Sequence, residues 1–146
     1  MDGDLRPVRR EDAARLAVLL TQLGYPTEEP EAAARLRYWG DDAAGVLIGA
    51  DVGGELAGVA ALHVAPLLEL TGRWARLVVL VVDEEHRGKG IGRRLVEAAE
   101  SRAAELGCRR MEVTSSRQRG DAHRLYRRLG YEDVCARSAR FLKLLG

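Results

Sequence analysis

The length and composition of the chain favour one folded domain and exclude several classes of protein. It has 146 residues, of which 47% are hydrophobic and 31% charged, unlike a disordered or collagen-like chain. A chain of this size buries roughly two-thirds of its unfolded surface. Its longest uncharged stretch, Leu56 to Leu68, has 13 residues, too few to cross a bilayer. We therefore expect a single soluble, cytoplasmic domain over residues 1–146, with no membrane partner.

The cysteines and histidines do not have the spacing of a metal site. Cys108 and Cys135 fit neither a disulfide framework nor a four-ligand zinc site. The three histidines, at positions 63, 86 and 123, are scattered along the chain. The sequence thus predicts no metal.

Charge is distributed unevenly, although the net charge is only +1. Residues 1–72 carry a formal charge of −6 and residues 73–146 one of +7. A basic half favours an anionic partner, either nucleic acid or a phosphorylated small molecule. A solvated arginine-rich surface explains the same charge equally well, so the positions of the basic residues have to decide.

The first half of the chain alternates between strand and helix periodicity. We predict a strand over 5–8, a helix after Asp12 that ends at Gly24, and a second helix over 31–39. Two β-rich runs, 46–51 and 55–65, are joined by Gly53-Gly54, a pair that is typical of hairpin turns. An antiparallel pair of strands is expected there.

The second half contains the clearest elements. A strand is predicted over 73–82, and its unbroken apolar end, Leu77 to Val82, is typical of a strand near the sheet centre. A helix over 90–106, a strand over 110–114 and a helix over 122–129 follow. Two last strands are predicted over 131–136 and 140–144. This order implies an α/β or α+β sheet with helices on both faces.

A glycine-rich, basic turn lies between the apolar strand and the helix at 90–106. Gly88, Gly90 and Gly92 take alternate positions, so that backbone amides at the helix start can approach a ligand closely. Cations are disfavoured there by up to about 1 kcal/mol each. Four nevertheless cluster in this turn: Arg87, Lys89, Arg93 and Arg94. The pattern indicates a phosphate-bearing ligand.

The residues of the turn do not match two other phosphate-binding motifs. No Ser or Thr follows Lys89, as a nucleoside-triphosphate loop requires, and the glycine spacing differs from the dinucleotide fingerprint. The chain after the turn is also short for a dinucleotide-binding fold.

Two motifs about 35 residues apart stand out: Arg87 with Gly90 and Gly92, and residues 122–131, which read Ala-x-x-x-Tyr-x-x-x-Gly-Tyr. Through them the sequence resembles the GNAT superfamily of acyl-CoA-dependent N-acetyltransferases, whose pyrophosphate signature and second phrase, Ala-x-x-x-Tyr-x-x-x-Gly-Tyr/Phe, they match. The resemblance covers residues 77–131 well. It implies a mixed, mostly antiparallel sheet of six to seven strands, with about four helices on both faces and a splay between strands 4 and 5.

The resemblance also implies the substrates and the roles of residues. Acetyl-CoA would lie in the splay and donate its acetyl group to a primary amine of a small molecule or peptide. The main chain of Leu80, Val81 and Val82 would pair with the pantetheine arm, and Tyr126 would protonate the departing thiolate. The diphosphate would be held by the turn residues Arg87, Gly88, Lys89, Gly90, Ile91, Gly92 and Arg93.

The general base is not identified by the sequence. The predicted fourth strand has Trp74 and Arg76 but no glutamate, which some family members use there. A water-relayed base is therefore expected. The candidates are Glu69, Glu112, His63 and His123. Arg119 stands where the family often has an asparagine that binds the pantetheine arm.

Other functions stay open at this stage. A non-catalytic module that binds acyl-CoA or nucleic acid would use the same basic turn. An aromatic content of 5% provides few stacking platforms for bases, so no nucleic-acid partner is expected. The acidic first half suits a cationic amine, and the apolar end Phe141 to Leu145 suits pairing with a second copy in a homodimer.

Overall fold

A computed structural model describes residues 3–114 and 120–146. The chain divides into two compact units, Met1–Thr114 and Ser115–Gly146. Among the described residues, the first unit contains a five-stranded sheet with three α-helices, and the second contains one α-helix.

The strands of the first unit follow one another across the sheet in chain order. They are β1 (Asp4–Pro7), β2 (Gly45–Val52), β3 (Glu55–Pro66), β4 (Arg73–Val82) and β5 (Cys108–Val113). β1 to β4 pair antiparallel, whereas β5 runs parallel to β4. Gly53 and Gly54, at φ of 63° and 90°, form the predicted turn between β2 and β3, because glycine tolerates positive φ.

Helices cover both faces of this sheet. They are α1 (Ala13–Leu23), α2 (Glu29–Asp41) and α3 (Ile91–Glu105). Val59 of β3 packs in a core cluster with the apolar side of α1, whereas a Cβ on its neighbour Gly58 would lie 3.1 Å from Leu95 of α3. Successive strand residues face opposite sides of a sheet. α1 and α3 therefore lie on opposite faces, as the alternating elements predict.

The prediction of two strands after the last helix is wrong. In the second unit, α4 (Gly120–Arg128) is followed by residues 129–146, which form no strand. The apolar residues Phe141, Leu142, Leu144 and Leu145 are each at least 79% exposed. Their pattern suits a strand, but a strand also needs a neighbour for its backbone hydrogen bonds. The described residues form a sheet of five strands, and the expected six to seven are not confirmed.

Candidate functional site

β4 has an open edge over its second half. Its pairing with β5 ends at Leu77, which lies opposite Val113, whereas β4 continues to Val82. Among the described residues, positions 78–82 therefore have a partner strand only on the β3 side. The expectation that this apolar run lies near the sheet centre is wrong for positions 78–82. Most of the run is half-buried, because among the described residues this part of β4 is itself an edge of the sheet. This is the place where the family resemblance implies a splay between strands 4 and 5.

The backbone groups of Leu80 and Val82 point to this open edge. The amide of Asp83 donates a hydrogen bond to the carbonyl of Ala57 on β3 at 2.8 Å. Backbone groups of successive strand residues point to opposite sides, so Val81 also faces β3. Of the three residues predicted to pair with a pantetheine arm, two thus present their backbone groups to the edge and the third does not.

A β-bulge marks the start of the open edge. Ala61 on β3 pairs with Val79, and the next residue, Leu62, pairs with Leu77. Val78 is therefore an extra residue on β4, and a bulge of this kind bends the strand and disrupts its ladder locally. The sequence did not predict it, because an unbroken apolar run has the same pattern with or without a bulge.

The glycine turn follows β4 and is open. Gly88 and Gly90 have φ of 80° and 81°, where other residues are strained. A Cβ built at either position would meet no atom of the described residues within 4 Å. Gly90 is the N-cap of α3, and the amides of the first turn, those of Ile91, Gly92 and Arg93, have no acceptor inside the helix. The turn therefore presents amide groups without being filled by side chains of the described chain.

The cations of the turn lie at its surface. Arg87 Nε donates to the carbonyl oxygen of Val82 at 3.2 Å, which keeps this guanidinium beside the open edge. Lys89 Nζ lies 3.2 Å from a histidine ring nitrogen, and Arg93 forms an exposed ion pair of 2.9 Å one turn further along α3. These three side chains are exposed. Their positive charge is accessible to an anion from solvent.

Asp83, directly after β4, fixes the turn to α1. Its carboxylate accepts hydrogen bonds from the Arg15 guanidinium, from Gln22 Nε2 at 3.3 Å and from the Glu85 amide at 3.1 Å. The side-chain oxygen of Gln22 accepts another from the Glu84 amide at 3.0 Å. Burial disfavours the charged carboxylate, but these hydrogen bonds outweigh burial and hold the pKa of Asp83 below its usual range. Two side chains of α1 thus hold the start of the turn.

A row of polar side chains crosses the sheet just before the open edge. His63 on β3 lies opposite Arg76 on β4, which lies opposite Glu112 on β5. Residues opposite one another share a face of the sheet. His63 stacks on Trp39 of α2, with ring centroids 4.5 Å apart and 6° between the planes. Two of the four candidate bases, His63 and Glu112, are thus brought together beside Arg76.

The other two candidate bases lie elsewhere. Glu69 is exposed, and its Oε2 atom lies 3.9 Å from Nη2 of Arg110. His123 belongs to α4 in the second unit. Arg119 is outside the described residues. In the part of the chain that is described, no three His, Cys, Asp or Glu side chains are grouped as metal ligands. No helix there is long and apolar enough to cross a membrane.

Tyr126 lies on α4 in the second unit. Its half-buried ring meets Tyr131 edge to face, with centroids 5.8 Å apart. The Tyr126 carbonyl accepts a hydrogen bond from the Tyr131 amide at 2.9 Å. Gly130 has φ of 92°, so the chain reverses at a position that favours glycine. The second sequence phrase is thus a helix end at which two tyrosines meet.

Comparison with known proteins gives a match over most of the chain. The model of the acetyltransferase (GNAT) family matches residues 13–131. An aminoalkylphosphonate N-acetyltransferase from Salmonella typhimurium is 35% identical over 79 residues, which are 54% of this chain and 51% of that protein. The match thus spans about half the length of this curated relative.

Solved structures match the chain along its length. A transcriptional regulator from Bacillus halodurans C-125 is 26% identical, with a TM-score of 0.85 over 99% of each chain. A GNAT family acetyltransferase from Staphylococcus aureus is 24% identical, with a TM-score of 0.82 over 99% of this chain and 100% of that chain. Because the Staphylococcus aureus structure is only 24% identical to this chain, its similarity supports the fold alone.

Proposed function

The chain belongs to the GNAT family of acetyltransferases, and we propose from this membership that it moves an acetyl group from acetyl-CoA to a primary amine of a small molecule or peptide. The observation that carries the proposal is the open edge of β4, which leads directly into an unfilled glycine turn. A thioester carrier with an extended amide arm and a diphosphate has a group for each of these two features. In this proposal, residues 1–146 make up one acetyltransferase domain.

Acetyl-CoA binds in this proposal through backbone groups. Its pantetheine arm pairs with Leu80 and Val82 as an added strand, and Val81 between them keeps β4 attached to β3. The diphosphate binds the amides of the turn from Gly88 to Arg93, where the helix start favours negative charge. The exposed cations Arg87 and Lys89 add charge-assisted contacts.

The acceptor amine has to be neutral when it attacks. An alkyl amine with a pKa of about 10.4 is neutral in about one molecule in 2,500 at pH 7. The nitrogen forms a bond to the thioester carbon, negative charge develops on the carbonyl oxygen, and the carbon–sulfur bond then breaks. A preorganised backbone amide at the open edge lowers the barrier by about 3 kcal/mol by stabilising that oxygen.

Two proton transfers complete the reaction. Tyr126 donates a proton to the departing thiolate, which needs little assistance, because a thiol has a pKa of about 8.5 and a phenol one of about 10. The proton lost by the amine passes through water to His63 or Glu112. These two residues flank Arg76 in the polar row beside the edge.

The acceptor in this proposal is a primary amine. The Salmonella relative is named for an aminoalkylphosphonate, so amines of that class belong among the acceptors to be tested. Peptide amines and small cationic amines belong there as well.

Thiol release from acetyl-CoA in the presence of a panel of amines tests the proposal. We expect release that depends on both the donor and at least one amine. The competing function is a module that binds acyl-CoA without turnover. Binding of CoA by calorimetry, together with no thiol release from any amine in the panel, would favour that module and contradict the enzyme.

A further inference from the structure

The polar row contains an arginine whose charge is not neutralised. Arg76 is half-buried, and its Nε atom is buried without a hydrogen-bond partner. Within the described residues its guanidinium contacts the Trp74 ring, with Cζ 5.9 Å from the ring centroid, inside the range of a cation–π contact. An unsatisfied donor in partly desolvated surroundings is unfavourable. The two terminal Nη atoms are not among the buried unpaired atoms, so a negatively charged ligand can pair with the guanidinium through them.

Glu112 lies beside Arg76 without pairing with it. The two residues are opposite one another on β5 and β4, and neighbouring strands lie about 4.8 Å apart. Even so, no ion pair joins them in the described part of the chain. Neither side chain has a hydrogen bond or an ion pair with another described residue. The row therefore presents a positive and a negative group side by side on one face. A molecule with both an acid and an ammonium group is complementary to such a pair.

The row is also close to the point where the open edge begins. Leu77 is the last residue of β4 paired with β5, and Val78 is the bulge. At about 3.3 Å per residue, Arg76 lies about 7 Å before the bulge. A carrier whose diphosphate is at the turn beyond Val82 points its thioester end back along the edge toward this row. An amine held in the row is therefore near the thioester.

We propose that the acceptor carries an acidic group, a carboxylate or a phosphonate, a few bonds from its amine, and that Arg76 binds this acid. This inference rests on the proposed acetyl transfer, because it places the acceptor at the same edge. A guanidinium binds a carboxylate or a phosphonate through two parallel hydrogen bonds. Glu112 receives the ammonium end, and the stacked Trp39 and His63 bound the row on the β3 side.

Amines matched in size test this subsite. 2-Aminoethylphosphonate and β-alanine carry an acid, whereas propylamine and ethanolamine do not. We would measure kcat and KM from thiol release with the wild type, Arg76→Gln and Arg76→Lys. The control is Arg102→Gln, which removes one positive charge from an exposed pair on the last turn of α3.

We expect the wild type to prefer an acid-bearing amine by at least about tenfold in kcat/KM. Arg76→Gln raises KM for that amine by about tenfold to hundredfold and affects the neutral amines by a much smaller factor. Arg76→Lys retains part of the preference, because the charge remains but the two-point geometry is lost. Arg102→Gln behaves as the wild type. A preference for the phosphonate over β-alanine, or the reverse, identifies which acid is bound.

A binding measurement separates this inference from the proposed function. In the presence of CoA, 2-aminoethylphosphonate or β-alanine should raise the Tm of the wild type and not that of Arg76→Gln. Turnover of neutral amines as fast as acidic ones, or equal losses for both classes in Arg76→Gln, would overturn the acid subsite and leave the transferase standing. Absence of thiol release from every amine would overturn the transferase itself.

Discussion

The carboxylate of Asp83 at the end of β4 accepts a hydrogen bond from the guanidinium of Arg15 on α1, although 68 positions separate the two residues in the chain. Asp83 is only 4% exposed, and Gln22 binds both its carboxylate and the amide that follows. The backbone path into the glycine turn is thus set by a helix from the other end of the unit. This contact ties the stability of the fold to the shape of the candidate diphosphate site.

Asp83→Asn is expected to weaken both folding and donor binding. The amide cannot accept from Arg15 as a carboxylate does, so the free energy of unfolding falls by about 2 kcal/mol. Acetyl-CoA binding weakens as well, since the turn loses its anchor. Urea unfolding and calorimetric titration measure the two effects. Asp41→Asn, at the exposed end of α2, is the control and should change neither. A stability loss with unchanged acetyl-CoA affinity would show that the anchor does not shape the site.

Folding stability should decrease in acid. Arg6 forms ion pairs with Asp12 at 2.8 Å and Asp51 at 2.7 Å. Burial raises the pKa of Asp12, but hydrogen bonds from Arg6 and the Arg9 amide outweigh it, so that the pKa lies below its usual range. The hydrogen bond from Arg6 is the main cause of the lowered pKa of Asp51.

The sign of this dependence follows from proton binding. The unfolded chain takes up these protons near pH 4, before the folded protein does, so stability rises with pH in that range. The stabilisation is present above about pH 4 to 5 and is lost as the pH falls through the lower pKa values of the folded state. Urea unfolding between pH 7 and pH 3 measures it, and Asp12→Asn should show a shallower slope. Stability that increases on acidification would contradict these ion pairs.

Gly90→Ala should impair donor binding, whereas Gly53→Ala should not. Both glycines have positive φ, 81° and 63°, and a Cβ at either would meet no described atom within 4 Å. Alanine at either position lowers the free energy of unfolding by about 1–2 kcal/mol, so the two variants are destabilised to a similar extent. Only at Gly90 does the new methyl group occupy the turn proposed for the diphosphate, so the Kd for acetyl-CoA rises by at least about tenfold. Equal affinities in the two variants would remove the turn from the site.

Tyr126→Phe should slow turnover and leave donor binding unchanged. Loss of the phenol removes the proton donor to the thiolate, and kcat falls by about tenfold to hundredfold. Tyr38→Phe is the matched control, because Tyr38 on α2 is 78% exposed and has no role in the proposal. Thiol release gives kcat, and calorimetry gives the Kd for acetyl-CoA. An unchanged kcat in Tyr126→Phe would rule out the acid role.

Local signals in the sequence predicted most of the first unit. Gly24 at φ of 113° ends α1, the Gly53-Gly54 pair forms the hairpin turn, and β4 spans Arg73–Val82 as its apolar run indicates. Each of these features depends on a few neighbouring residues whose backbone preferences agree. The positive φ of Gly88 and Gly90 is also a local backbone preference, so the turn could be predicted from its own residues.

Features that depend on distant residues could not be predicted in this way. The contact of Arg15 with Asp83, the stack of Trp39 on His63 and the bulge at Val78 each join separate elements. The two strands expected after α4 failed for the same reason. Phe141 and its apolar neighbours have the pattern of a strand, but the pattern does not supply the neighbouring strand that its backbone requires.

Calorimetric titration with acetyl-CoA, in parallel with S-acetylpantetheine, tests donor binding at the open edge and the turn most directly. S-Acetylpantetheine keeps the thioester and the amide arm but lacks the diphosphate. The prediction is one acetyl-CoA per chain, with S-acetylpantetheine bound at least about tenfold more weakly, and Gly90→Ala reducing that difference. Equal binding of the two compounds, or no binding of acetyl-CoA near neutral pH, would contradict it.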